Sequence, residues 1–156
     1  MIFSRTFRYH STMSADQIKD RLIGKHVTVH NLDFEVSEKD HAIKIFPHAE
    51  QIKDIKSLPI TRVELKDKGD KTQVVINSKM REIDSGGPTI VIFFCSFMLL
   101  GALCFYVFGR QEFSMFTYTL SGIALIILAI FLVRMQTGYY DYVRKIKKYV
   151  KEQSLA

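Results

Sequence analysis

Two stretches decide how this chain must be read: Thr89–Phe108, TIVIFFCSFMLLGALCFYVF, and Phe113–Val133, FSMFTYTLSGIALIILAIFLV. They run for 20 and 21 residues, and neither holds an Asp, Glu, Lys, Arg or His. A helix rises about 1.5 Å per residue, so about 20 apolar residues cover the hydrocarbon core of a bilayer. Each stretch can cross a membrane once, which excludes a simple soluble globular protein. Only residues 109–112 join them. A link that short makes the two helices antiparallel neighbours, a transmembrane hairpin.

Depths within the hairpin follow by counting outward from about residue 111, which brings Gly101 level with Ser121. On the second helix Ser114, Thr117, Ser121 and Ala124 recur at spacings of 3, 4 and 3. In lipid, helices associate where small side chains let backbones approach, so this stripe and Gly101 are the expected helix–helix contact. Cys95 and Cys104 lie nine residues apart in the first helix, on opposite faces, and cannot pair within it. Ion paths and proton relays rely on intramembrane ionisable groups, and the two runs supply none, which argues against a transporter or pump.

The charges outside the runs set the expected orientation. Residues 1–88 carry 15 Lys+Arg against 13 Asp+Glu, the link carries Arg110 and Glu112, and residues 134–156 carry six Lys+Arg against two acids. Positive flanks stay on the cytoplasmic side, so both termini are expected inside. The bacterial cytoplasmic (inner) membrane is the expected location, with the mitochondrial inner membrane as the alternative. Residues 1–13 lack the apolar core of a secretory signal. Their Arg5, Arg8, Ser4, Ser11 and Thr12, without acids, suit a targeting segment, and a disordered leader before Met13 is the competing reading.

Residues 14–88 are expected to form a small cytoplasmic α+β module. Ser14 can cap a helix carrying Ile18, Leu22 and Ile23, which Gly24 stops. Val27 and Val29 alternate in one parity and Leu32, Phe34 and Val36 in the other, so a bulge or turn is expected near His30–Asn31. Ile43 and Ile45 mark a further strand that Pro47 stops or pushes to an edge, and residues 49–57 are ambiguous. Ile60–Lys66 and Lys71–Asn77 read as a hairpin with Val63 and Leu65 against Val74 and Ile76. That strand is expected to run on through Lys79–Ile83. A corner or hinge at Gly86–Gly87 should then lead into the membrane helix, with Asp84 or Ser85 as its cap and Pro88 in its first turn. The core so assembled is thin for a free-standing domain.

Residues 134–156 form the tail. Tyr142, Val143, Ile146, Tyr149 and Val150 follow helical spacing, with Arg144, Lys145, Lys147, Lys148 and Lys151 on the remaining arc. Either this helix lies on the bilayer, its basic cluster attracted to anionic lipid, or its apolar face completes the thin sheet core. The thin core favours the second. Tyr139, Tyr140 and Tyr142 suit the headgroup level.

An N-terminal helix, an antiparallel sheet and a C-terminal amphipathic helix, with a membrane hairpin inserted before the last, resemble in outline the helix-grip arrangement of START-type lipid-binding domains. The resemblance implies a lipid-binding or lipid-sensing module. Arg81-Glu82-Ile83-Asp84-Ser85-Gly86-Gly87-Pro88, running into a membrane helix, is similar to a stretch in uncharacterised small bacterial membrane proteins, which implies no activity.

His26, His30, His41 and His48, with Asp33 and Glu35, are the metal candidates, but spacing and parity bring no more than two together. No nucleophile elbow, phosphate loop or zinc-protease motif occurs. Neither a cofactor nor catalysis is expected, and the basic excess beside the membrane, without interleaved stacking aromatics, does not suit nucleic acid. The expectation is a non-enzymatic integral membrane protein whose module meets a protein partner as an accessory subunit, with the bilayer itself, including its anionic lipids, as its other partner.

Overall fold

The computed structural model describes residues 3–30, 32–39, 42–48, 58–69, 71–109 and 114–155. In chain order the elements are β1 (Ser4–Ser11), α1 (Ala15–Leu22), β2 (His26–Val29), β3 (Leu32–Lys39), β4 (Ala42–Pro47), β5 (Pro59–Lys68) and β6 (Lys71–Met80). The helices α2 (Glu82–Phe108), α3 (Ser114–Thr137) and α4 (Tyr139–Leu155) follow. They form two compact units, one made of residues 1–84 together with 138–156, the other of residues 85–137. The ambiguous stretch 49–57, His41 and most of the interhelical link lie outside the described residues.

The first unit is α+β. Its six strands form one curled antiparallel sheet in the order β1-β6-β5-β4-β3-β2. Alternation sorts the side chains: Phe34, Val36, Ile43, Ile45, Val63, Val74 and Ile76 point inward and are fully buried or nearly so. The hairpin of β5 and β6 pairs Val63 with Ile76 and Leu65 with Val74. Between β2 and β3 the parity change is a tight turn, with Val29 opposite Leu32 and His30 in the left-handed region at φ 50°. Helix α1 begins with a reciprocal cap. The Gln17 N–H donates to Ser14 Oγ and the Ser14 N–H to Gln17 Oε1, which leaves Ile18 and Leu22 facing the sheet core.

Residues 4–11 fall within the stretch 1–13 expected as a leader. They form an edge strand paired along its whole length with β6, Phe7 opposite Ile76 and Tyr9 opposite Val74. The exposed positions of this strand include Arg8 and His10. The strand before the membrane helix also ends sooner than expected, at Met80. Helix α2 starts at Glu82 and carries Gly86, Gly87 and Pro88 within it, so there is no glycine corner. What fixes its start is the buried carboxylate of Asp84, which accepts from Arg81 Nε at 2.7 Å, Arg81 Nη2 at 3.1 Å and the Leu58 N–H at 3.1 Å. Two charge-assisted bonds and a backbone bond from Leu58, just before β5, outweigh the weak helix propensity of glycine.

Helix α4 closes the inner face of the sheet. Tyr142, Ile146 and Val150 belong to the same apolar cluster as Ile18, Phe34 and Ile76. The tyrosines at its start are therefore module residues rather than headgroup anchors. Tyr139 is 1% exposed, and its hydroxyl donates to the carbonyls of Phe3 and Ser78 at 2.9 and 3.4 Å.

In the second unit α2 and α3 are long and apolar enough to cross a membrane. Phe93, Phe97, Tyr106, Phe108, Met115 and Tyr118 are all about 70% exposed or more. Side chains that large, bared to this extent, suit a lipid environment better than water. Hydroxyls in these helices bond back to their own backbone, Ser96 to Ile92 and Thr119 to Met115. That satisfies them where water is absent.

Candidate functional site

Three features offer chemistry or contact: the hairpin seam, the outer face of α4, and the histidine-bearing end of the sheet. Along the seam Cys95 and Ala102 on α2 and Ala124 on α3 are buried, while Thr117 and Ser121 are half-buried and Ser114 is exposed. The small-residue stripe thus turns inward from Thr117 to Ala124, and Ser114 lies outside it. A Cβ added to Gly101 would meet Leu120 Cδ2 at 3.5 Å, one residue from the depth partner that counting gives. Cys104 is exposed, away from buried Cys95, as opposite helix faces require.

The basic cluster follows from which face of α4 is buried. With Tyr142, Val143, Ile146 and Val150 in the core, Arg144, Lys145, Lys148 and Lys151 are exposed. Lys147 differs from these four. Its ammonium lies 4.2 Å from the centroid of the Phe7 ring, a cation–π contact between α4 and β1. Lys148 pairs with Glu152 at 3.7 Å. The far end of α4 is tied down by Ser154, whose hydroxyl shares a 2.8 Å hydrogen bond with the Tyr9 hydroxyl and whose carbonyl accepts from Ser11 Oγ. Burial pushes the Tyr9 phenol up from its usual range, partly offset by that bond.

The histidines separate into two places. His26 and His48 lie on the outer face with Asp33 and Glu35: His26 Nδ1 is 2.6 Å from Asp33 Oδ2, His48 Nδ1 is 3.7 Å from Glu35 Oε2, and the rings meet edge to face at 6.4 Å. His30 turns the other way, toward α4. Its Nε2 is 2.6 Å from both Asp141 Oδ2 and Lys145 Nζ, and its ring packs against Tyr142. One nitrogen facing an acceptor and a cationic donor can serve either, donating to Asp141 when protonated there or accepting from Lys145 when not. The His30 hydrogen bond, helped by Lys145, holds the Asp141 carboxyl below the usual carboxylate range. Among the described residues no three His, Cys, Asp or Glu side chains converge on a metal position. His30 thus joins α4 to the β2–β3 turn, and the other pairs are surface ion pairs.

Sequence reasoning missed three of these features: the Asp84–Arg81–Leu58 clamp, the Tyr9–Ser11–Ser154 latch and the Lys147–Phe7 contact. Only the first had a local signal, an Arg and an Asp three apart at a helix start. No protein-family model, curated protein or solved structure matches this chain.

Proposed function

We propose that the chain is a non-enzymatic integral membrane protein. It displays the α+β module on the cytoplasmic face and acts there as an interaction or accessory subunit. One observation carries the reading. Segments 1–84 and 138–156, on either side of the hairpin, build a single apolar core, with Ile146 and Val150 of α4 fully buried in it. A chain whose two flanks fold together holds both on one side of the bilayer, and the Lys/Arg excess of those flanks favours the cytoplasmic or matrix side.

In the helix-grip form of the lipid-binding alternative, the ligand would sit between the last helix and the sheet. There Phe34 and Tyr142 pack ring to ring at 5.9 Å, beside Ile146, Ile18 and Leu22. Side chains occupying that space support the accessory-subunit reading instead. Native mass spectrometry of the full chain purified in mild detergent tests it. The expected result is a protein adduct at fixed stoichiometry, and a chain carrying lipid alone would overturn the accessory role.

A further inference from the structure

Strand β1 is one edge of the six-stranded sheet, and at eight residues it is long for an edge. In an antiparallel pair successive residues turn their N–H and C=O alternately toward the neighbouring strand and away from it. With β6 along one side, every second residue of β1 therefore points both backbone groups at the open side. Among the described residues, no backbone group of residues 4–11 bonds to backbone beyond β6. Helix α4 meets β1 at inner-face side chains, Lys147 at Phe7 and Ser154 at Tyr9 and Ser11, which leaves the main-chain edge open. Many native edges are blunted by proline or by brevity, and β1 has neither. It has charge of one sign instead: Arg5 and Arg8, both exposed, and no acid. Arg8 stands on the outer face opposite Val75, whereas Arg5 shares the inner-face parity of Phe7. Arg5 lies 5.1 Å from the Tyr140 ring centroid and Lys147 4.2 Å from that of Phe7, contacts that leave both charges in place. Among the described residues no carboxylate pairs with Arg5, Arg8 or Lys147, so cations flank the open edge on both faces.

We propose that the open edge of β1 takes an extended acidic segment of the protein partner as an added strand. The outward N–H and C=O groups of β1 bind any extended backbone, and side chains alternating along the added strand supply the selectivity. Acids on its outer face fall beside Arg8, and those on its inner face fall beside Arg5 and Lys147. A second copy of this chain is the competing occupant, and charge opposes it. Two β1 edges side by side bring two arginines from each copy and no carboxylate to the join. An edge charged in this way repels itself and accepts a strand of the opposite sign. The inference rests on the accessory-subunit reading and adds where, and by what chemistry, the partner docks.

The probe is a fluorescent peptide repeating Thr-Glu-Glu, whose acids fall on both faces of a strand, added to the full chain in mild non-ionic detergent. Anisotropy reads binding and hydrogen exchange reads the site. Saturable binding is expected, with amides of residues 4–11 gaining protection. Arg8→Gln should weaken it by up to about fivefold, and Arg8→Glu should turn the preference toward the matching Thr-Lys-Lys peptide. The acidic peptide N-methylated at successive central residues keeps its charge but loses the ladder, and should not bind. The α4 double variant Lys148→Gln, Lys151→Gln should bind like the parent. Equal binding of the N-methylated or the lysine peptide to the parent would overturn the proposal, and so would protection gained only outside residues 4–11. These comparisons use the parent chain and stand even if an Arg8 variant misfolds. A parent dimer with its β1 amides already protected would make the second copy the occupant and overturn the acidic strand. In native mass spectra, a protein adduct that survives Arg8→Glu undiminished would overturn docking at β1 and leave the accessory role standing. Absence of any adduct from the parent would count against the accessory role, while the peptide still reads the edge itself.

Discussion

Replacing Ile146 with Asp should unfold the soluble module and leave the membrane hairpin in place. Ile146 is fully buried in the cluster that holds Phe34, Val74 and Ile76. Removing it from water contributes about 1.5 to 3 kcal/mol, and burying an unpaired carboxyl in its place costs several more, even if it protonates. The sum, about 5 kcal/mol or more, approaches the whole stability of a small domain, about 5 to 15 kcal/mol. Ile146→Ala leaves a cavity without a charge and should cost about 2 to 5 kcal/mol, lowering the melting temperature of a still-folded module. Limited proteolysis in detergent reads the difference: the Asp variant should gain cleavage sites within residues 26–77, the Ala variant few. Lys151→Glu, on the exposed side of α4, serves as the control and should cleave like the parent. If the Asp variant gains cleavage only beyond Gly138, with the sheet still protected, α4 does not complete the core and the reasoning fails.

Gly101→Ala should be tolerated, because a Cβ there makes an ordinary 3.5 Å contact with Leu120, whereas Gly101→Leu should overpack the seam by about 1 to 3 kcal/mol. Thermal denaturation in detergent should show Gly101→Leu less stable than Leu99→Ala, and equal stabilities would refute the seam. Asp84→Ala should cost about 3 kcal/mol, since it leaves the Arg81 guanidinium and the Leu58 N–H without their carboxylate, and a change below about 0.5 kcal/mol would remove the clamp from the account. Burial pushes the Tyr139 phenol up to about 12 from an ordinary value of 10.0, with Tyr140 adding to it and Arg5 opposing. The folded state then holds that proton more tightly than the unfolded chain. Its stabilisation is complete below pH 10 and is lost as pH rises from 10 to 12, up to about 2 to 3 kcal/mol. Tyr139→Phe should flatten that alkaline loss in pH-dependent melting, and an unchanged profile would contradict the assignment.

How much of this was legible in the sequence depends on how local each cause is. The hairpin was plain, because lipid demands uninterrupted apolar runs and Thr89–Phe108 and Phe113–Val133 supply them. The β5–β6 register was equally plain, fixed by two strands on either side of one turn. Strand β1 was missed because its alternation, Phe7 and Tyr9 between Arg8 and His10, is brief and its partner lies about 70 residues away. The corner expected at Gly86–Gly87 failed for a related reason. Local propensity speaks for a bend, but a tertiary bond from Leu58 to Asp84 sets the helix start. Tyrosine at a membrane boundary reads as a headgroup anchor until Tyr139 is seen donating to Phe3 and Ser78. The histidines were not separable by parity, which puts His26 and His30 on one face of a regular strand; the left-handed turn at His30 that aims its ring at α4 has no signature in composition.

The central claim is that one module, built from both flanks of the hairpin, sits on one side of a membrane. Single cysteines placed at Asp70, Gln111 and Gln153 of a chain lacking Cys95 and Cys104 test it, with an impermeant maleimide applied to intact cells. The account predicts that Gln111 is labelled at once and that Asp70 and Gln153 are labelled together, only after permeabilisation. Labelling of Asp70 or Gln153 in intact cells, or of one without the other, would contradict it.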